Sequence, residues 1–457
     1  MCGLASFTDR DALSRRMRAA LLALFLLVLL SRVPFLDHGY GEHADAWRVA
    51  RTAKLWAETG VYEPSRIPGF PLHEALCALV WPWRAPGLNA VSAVASAVAC
   101  VLFALYAKRR GCRDPILAAL ALAGLPAFFV NSVSAKDFTL TLAALLGSAL
   151  AATAGWPLVA GLALGAAAGC RSVAAIYGLP LAILILAAAP QKDRLRHFLR
   201  FFLTATAVAA ACYLPIFAKF GSALFRVNNA LGYPPAATVL ERGTIEVWGW
   251  PGLVALAIML AAAVVLRHRE SALPAQPRAE IFAWSLFVLF TAGFYAWLPD
   301  QAGYFIPALP FALLLLARIT PRRFFQAGCA LFIVASFVTI SRTPLHAAIL
   351  ADRTARDTTL AQVRGFAGFC KTMPGAGVIV AGAWEPLLAV LDFRAGEHRF
   401  VYLLPPEEIR ALAAAHRPIF FTPETRAFEA KVHGLDLAEF GGRDLRAVYL
   451  EQQTRAK

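Results

Sequence analysis

Apolar runs recur along the chain from Leu21 to Ile340, separated by short polar gaps. A helix of about 18 or more apolar residues is long enough to cross the hydrocarbon core of a membrane. Five gaps or flanks are strongly basic: Arg15, Arg16 and Arg18; Lys108, Arg109, Arg110 and Arg113; Lys192, Arg194, Arg196 and Arg200; Arg267, Arg269 and Arg278; Arg318, Arg322 and Arg323. Lys and Arg collect in the cytoplasmic loops of membrane proteins. With the basic N-terminal tail inside, the crossings follow by parity. The first span, about 19–36, exits. The gap KRRGCRD at 108–114 is inside again, so an odd number of crossings lies between. The run at about 88–107 is long and ends at that cluster, which makes it the span. The shorter piece at 69–83 is flanked by prolines and crowded with tryptophan, and reads as a helix lying at the interface. Further spans are expected at about 115–130, 137–153, 156–170, 173–189, 199–219, 247–266, 281–298, 302–317 and 324–341, about eleven in all, the last exiting outward.

This parity leaves an outer loop at 37–87, an outer segment at 220–246 containing NNALGYPPAATVLERGT, and a tail from Ser341 to Lys457. In the tail, charges are dense and of both signs. Short apolar runs (GVIVAGAW, HRFVYLL, PIFFTPE) alternate with helical patterns (EPLLAVL, PPEEIRALAAAHR). The expected fold class is therefore a polytopic α-helical membrane protein, 1–341, with a small C-terminal α/β domain on the periplasmic side, 342–457, whose sheet is mostly parallel. Pro405 and Pro406 followed by two glutamates make a good helix start. No Gly-rich phosphate loop follows any of the tail's strands, which argues against a nucleotide site there.

Composition agrees with this picture. The 457 residues are 59% hydrophobic and 16% charged, against roughly 25% charged in ordinary soluble domains. The net charge of +15 would suit nucleic acid, but its confinement to gaps between apolar runs makes it a membrane-topology signal, so no nucleic-acid partner is expected. Eight cysteines contain no CxxC pair and form neither a zinc spacing nor a disulfide framework. The first apolar run lacks a small-residue cleavage site and is not a cleavable signal by pattern. The expected location is a bacterial inner membrane, with the N-terminus cytoplasmic.

The first outer loop, DHGYGEHADAWRVARTAKLWAETGVYEPSRIPGFPLHEAL, holds Glu42, His43 and Asp45 within four residues. Moving a sugar from a phosphate to a hydroxyl needs a base near that hydroxyl and cations against the phosphate charge. Asp45 is the candidate base, weighed against a merely solvated loop acid. The segment after it is amphipathic and suits a helix along the membrane surface. Arg66 stands in the rigid turn PSRIPGFPL, either as a phosphate clamp or as ordinary turn polarity. In NSVSAKDFTL, Lys136 and Asp137 sit together at a membrane boundary, as functional groups or as a mutual ion pair. Arg171, in AAGCRSVAAIYGLP, either snorkels or faces a cavity with Lys136 as an anion site. Tyr304, in LPDQAGYFIPALP, is a hydrogen-bond donor to phosphate or sugar, or an interface-belt tyrosine. All of these fall on the outer side of the topology derived from Lys and Arg alone.

In order and in sidedness, GEHAD, IPGFP, the AKD turn, GCRS and YFIPALP resemble the GT-C superfamily of polyprenyl-phosphate-sugar-dependent glycosyltransferases, which includes protein O-mannosyltransferases and the aminoarabinose transferases of lipid A. The resemblance covers most of the chain. It implies inverting transfer from an undecaprenyl- or dolichyl-phosphate sugar to a lipid, glycan or protein acceptor. It places Asp45 as the catalytic acid of the first loop, with Glu42 as the competing choice and His43 beside them. Lys136, Arg171 and Tyr304 are placed around the donor phosphate, with Asp137 in support. The family's late arginine–tyrosine pair reads Gly303-Tyr304 here, so the arginine's contact is either missing or supplied elsewhere, by Arg66 or Arg171. No complete metal site is visible, and a divalent cation is the one cofactor left open. Two other classes compete: a lipid or glycan transporter or flippase, which usually needs polar groups at mid-membrane and inverted repeats, and a non-catalytic membrane subunit presenting the tail to partners.

Overall fold

The computed structural model describes residues 15–221, 233–266, 271–338, 348–373, 377–393 and 397–448. The NNALG portion of the expected outer segment, Arg267 and Arg269, and the end of the last expected span beyond 338 lie outside them. Each stretch expected to span is largely helical where described, with turns at 306–308 and 335–337 interrupting or ending two of them. Among the described residues, five helical segments are long and apolar enough to cross a membrane: Arg15–Phe35, Trp81–Arg109, Gln191–Phe220, Ile245–Val265 and Arg278–Trp297. Pro115–Gly124, Phe138–Thr153, Pro157–Cys170, Ser172–Ala188 and Leu309–Ile319 are apolar but shorter. The stretch at 115–130, expected as one span, is two helices. Pro126 has no N–H to continue the first of them and starts Pro126–Asn131 from the position proline favours.

The polar segments gather at two opposite ends of this bundle. At one end, Arg110 is ion-paired with Glu280, Arg322 grips Asp114 at 2.8 and 2.9 Å, and Arg113 N–H donates to Ala272 O at 3.2 Å. These are the segments that the Lys and Arg distribution places inside. At the other end, Ala135 N–H donates to Tyr40 O, Asn89 donates to Leu36 and Gly39 carbonyls, and Ser92 donates to Lys136 O. The Pro71–Leu79 helix and the Trp81–Trp83 turn lie here, where an interface helix was expected.

After residue 348 comes a long helix, Ala348–Lys371, and then a four-stranded sheet. Its strands are β1 (Val378–Val380), β2 (Arg399–Val401), β3 (Ile419–Phe421) and β4 (Arg443–Asp444), all parallel in the order β2-β1-β3-β4. β1 and β3 are buried on both faces, which is why they read as continuous apolar runs. Pro406 opens Pro406–Ala414 as the sequence predicts, and Thr422 caps Pro423–His433 with a reciprocal capping box to Thr425.

One apolar cluster joins the two parts. Trp47, Val49 and Ala50 from the first outer loop pack in it with Val363, Leu387 and Leu388 from the tail. Seven of the eight cysteines are described, and all seven are free thiols.

Candidate functional site

Asp45 lies in the first turn of the Ala44–Thr59 helix, where a negative charge favours the helix N-terminus. His43 caps that helix, its Nδ1 accepting the Asp45 N–H at 3.2 Å. Trp47 Nε1 donates to Gly41 O at 2.8 Å, and the buried face Ala46–Val49–Ala50–Ala53 holds the helix down. Asp45 is thereby fixed at 8% exposure on the wall of a cleft of about 210 Å3. Arg66, Phe70, Lys136, Asp137, Arg171 and Gln301 also line it.

Cations and amides surround the carboxylate. Arg66 Nη1 lies 2.6 Å from Asp45 Oδ2, Gln301 Nε2 donates to the same oxygen at 3.0 Å, and Arg48 Nη1 stands 3.4 Å from Oδ1. Desolvation raises the Asp45 carboxyl, but Arg66 and the neighbouring cations outweigh it and hold the group below the usual carboxylate range. Desolvation and the charge of Lys136 push His43 down to about 4, so its ring is neutral at pH 7 and free to accept at Nδ1.

Lys136 Nζ donates to Gln301 Oε1 at 3.0 Å, so Gln301 bridges the lysine and Asp45. The expected alternative of a Lys136–Asp137 ion pair does not form. Asp137 Oδ2 instead accepts from Arg171 Nε at 2.8 Å. Arg171, which has no neighbouring acid in sequence, thus has an acid partner 34 residues away and is 8% exposed, which excludes snorkelling. Its guanidinium stands 4.1 Å from the centre of the Phe138 ring, and its buried Nη2 has no hydrogen-bond partner among the described residues. A buried guanidinium nitrogen without an acceptor is costly, and an anion in the cleft would satisfy it.

Tyr304 is buried between Phe138 and Phe294, at ring distances of 5.9 and 5.1 Å, and does not line the cleft. An interface-belt tyrosine would be wetter. Gly303 explains the departure from the arginine–tyrosine pair: a Cβ here would meet the Phe138 ring at 2.7 Å, leaving no room for arginine. Glu42 is exposed and outside the cleft lining, while Asp45 is inside it. Sequence reasoning missed Gln301 and Asp300, and it weighed Arg48 only as a charge on the amphipathic helix, drawing a lipid phosphate or solvated. The first two stand in the LPDQAGYF segment already singled out, directly before Tyr304.

His43, Asp45 and Asp300 each offer one ligand atom, all within 4.8 Å of one another. One nitrogen and two carboxylates suit a divalent cation. Asp45 Oδ2, however, already takes Arg66 and Gln301, so a cation there competes with the guanidinium.

No family model and no curated protein sequence matches the chain. Among solved structures it is similar to ArnT from Cupriavidus metallidurans bound to undecaprenyl phosphate, with a TM-score of 0.55 and 12% identity over 95% of this chain and 91% of that one. The apo state of ArnT from Cupriavidus metallidurans matches with a TM-score of 0.55 and 12% identity, over 91% of this chain and 94% of that one. This likeness gives the chain the fold of those structures, and the apolar helices agree with a place in a membrane.

Proposed function

We propose that the protein is an inverting glycosyltransferase that moves a sugar from a polyprenyl-phosphate donor to an acceptor on the outer face of the membrane. One observation carries this reading. A buried carboxylate and three cationic side chains, Arg66, Lys136 and Arg171, line one cleft, and a nitrogen of Arg171 there has no acceptor among the described residues. ArnT, the similar structure, binds undecaprenyl phosphate, which supports a lipid phosphate as the ligand. The outward side rests on the Lys and Arg distribution, which puts the N-terminus inside and the α/β tail in the periplasm.

In this reading the acceptor oxygen attacks the anomeric carbon. The bond from that carbon to the phosphate oxygen breaks, and its electron pair leaves with the polyprenyl phosphate. Asp45 takes the acceptor proton. Arg66, Lys136 and Arg171 meet the phosphate charge. A phosphate at Arg66 draws the guanidinium from Asp45, which raises the basicity of that carboxylate when the acceptor proton must be received. If a divalent cation takes part, His43, Asp45 and Asp300 are its ligands.

The test is a transfer assay on purified protein with a panel of polyprenyl-phosphate sugars. Wild-type protein should consume one donor, and Asp45→Asn should lower kcat by at least about 10²-fold, the lower range for a general base. A fully active Asp45→Asn protein would remove that residue from the chemistry.

A further inference from the structure

The cleft side of Arg66 is described above; its other side leads to a carboxylate that does not itself line the cleft. Glu74, in the first turn of the Pro71–Leu79 helix, is completely buried. Its Oε1 accepts the Ser65 N–H at 3.0 Å and its Oε2 accepts the Tyr62 hydroxyl at 2.6 Å. Ser65 immediately precedes Arg66, so one of these bonds holds the backbone from which the arginine projects. The Tyr62 ring packs against Trp56 of the Ala44–Thr59 helix at 4.5 Å, tying the same loop to the element that carries Asp45. The loop also folds on itself: Gly69 has φ +84°, and a Cβ there would meet Pro64 Cβ at 2.8 Å. Phe70 then lies under the Arg66 guanidinium at 4.6 Å.

Burying a carboxylate is expensive unless donors meet it. Burial pushes the Glu74 carboxyl up, and the hydrogen bonds from Ser65 and Tyr62 work against that shift. The Ser65 and Tyr62 donors come from the segment that carries Arg66 into the cleft, and the Phe70 N–H adds a bond from the start of Glu74's own helix. Apolar side chains would anchor a surface loop without that desolvation cost. What a carboxylate adds is two directional bonds, which set where the loop backbone stands. A displacement of about 1 Å in a positioning group is enough to cost about 10²-fold in rate.

We propose that Glu74 is a positioning residue: through Ser65 and Tyr62 it fixes the reach of Arg66 toward Asp45 and toward the donor phosphate. This rests on the proposed donor site, so the test separates the two. Donor turnover is measured in the full-length protein for wild type, Glu74→Gln, Arg66→Ala and the double variant, and undecaprenyl phosphate binding is measured on the same four proteins. Glu74→Gln keeps the shape and one acceptor oxygen. It should raise donor KM and weaken lipid-phosphate binding about tenfold with kcat within about twofold. In the Arg66→Ala background it should change neither by more than about twofold, because the residue it acts through is gone. Tyr62→Phe, which removes one of the two bonds, should shift KM the same way by less. Equal losses from Glu74→Gln in both backgrounds would make it a general structural anchor and overturn the inference. Arg66→Ala weakening binding while Glu74→Gln is silent would overturn Glu74 alone. Arg66→Ala without effect on binding would overturn the donor reading, and the inference with it.

Discussion

At Asp45 the protein holds a carboxylate that is both buried and ionised. Burial opposes the charge, and Arg66 at 2.6 Å restores it. The sign of the pH dependence follows. A base whose pKa is depressed is already deprotonated, so wild-type kcat/KM should stay level as pH falls from about 8 to about 5. Arg66→Ala removes the lowering influence and leaves desolvation, so the acid limb of the pH–rate profile should move to higher pH. An unmoved acid limb would mean that Asp45 is not the titrating base. Arg171 bears on stability as well. Its side chain and that of Asp137 are 9% and 4% exposed, so Arg171→Met strands a buried carboxylate and should cost about 3–5 kcal/mol. Thermal unfolding in detergent reads this, and Arg171→Met with Asp137→Asn should recover part of the loss. Chelation with EDTA should leave donor turnover intact if the arginines carry the phosphate charge; loss of turnover restored by added zinc or manganese would place an ion on His43, Asp45 and Asp300. Asp45, Lys136 and Arg66 were legible because an ionisable group beside an apolar run stands out. Gln301 was not, being neutral and 256 positions from the carboxylate it contacts. The Asp137–Arg171 pair was hidden for the same reason: its members are 34 residues apart, and the sequence shows only Lys136 beside the acid.

Local chemistry set the elements more clearly than it set their partners. The helix start at Pro406 was visible as a proline ahead of two glutamates, whereas the starts at Pro115, Pro157 and Pro423 were not singled out. The first three strands of the tail were visible as short apolar runs, and β4, the charged pair Arg443–Asp444, was not. The break before Pro126 was hidden because the apolar run continues through it, and hydrophobicity alone does not register a missing N–H. Gly303 is similar: in sequence it is a departure from a family pair, and in space it is contact with Phe138. Gly303→Ala should therefore lower the unfolding temperature, at about 1–3 kcal/mol for overpacking, and disturb the ring on which Arg171 rests. An unchanged unfolding temperature would show that the Ala302–Phe305 turn gives way without cost.

Across the whole molecule, the tail is bound to the helix that carries Asp45. Lys54 Nζ donates to Ala389 O at 3.0 Å and pairs with Asp392, Arg51 stands 3.5 Å from Glu385, and the Arg48 guanidinium lies 4.6 Å from the centre of the Tyr402 ring. Arg356 Nη1 donates to Val133 O at 2.8 Å, behind the Lys136 turn. Tyr402→Ala should lower turnover severalfold through Arg48, while Tyr402→Phe keeps the ring face and should match wild type, given about 0.5–2 kcal/mol for such a contact. Equal losses in the two variants would assign the effect to the hydroxyl instead.

The Gln301 bridge has a consequence for how the protein is made. Residues 45, 66, 136, 137 and 171 all emerge from the ribosome in the first part of the chain, and Gln301 follows 130 positions after Arg171. A nascent chain threaded as far as Arg171 has its carboxylate and its cations, yet lacks the amide that ties lysine to aspartate. On the proposed function, a product stalled before the segment at 298–304 would carry the carboxylate and the cations of the cleft without the amide that bridges them, and should be unable to turn over a donor.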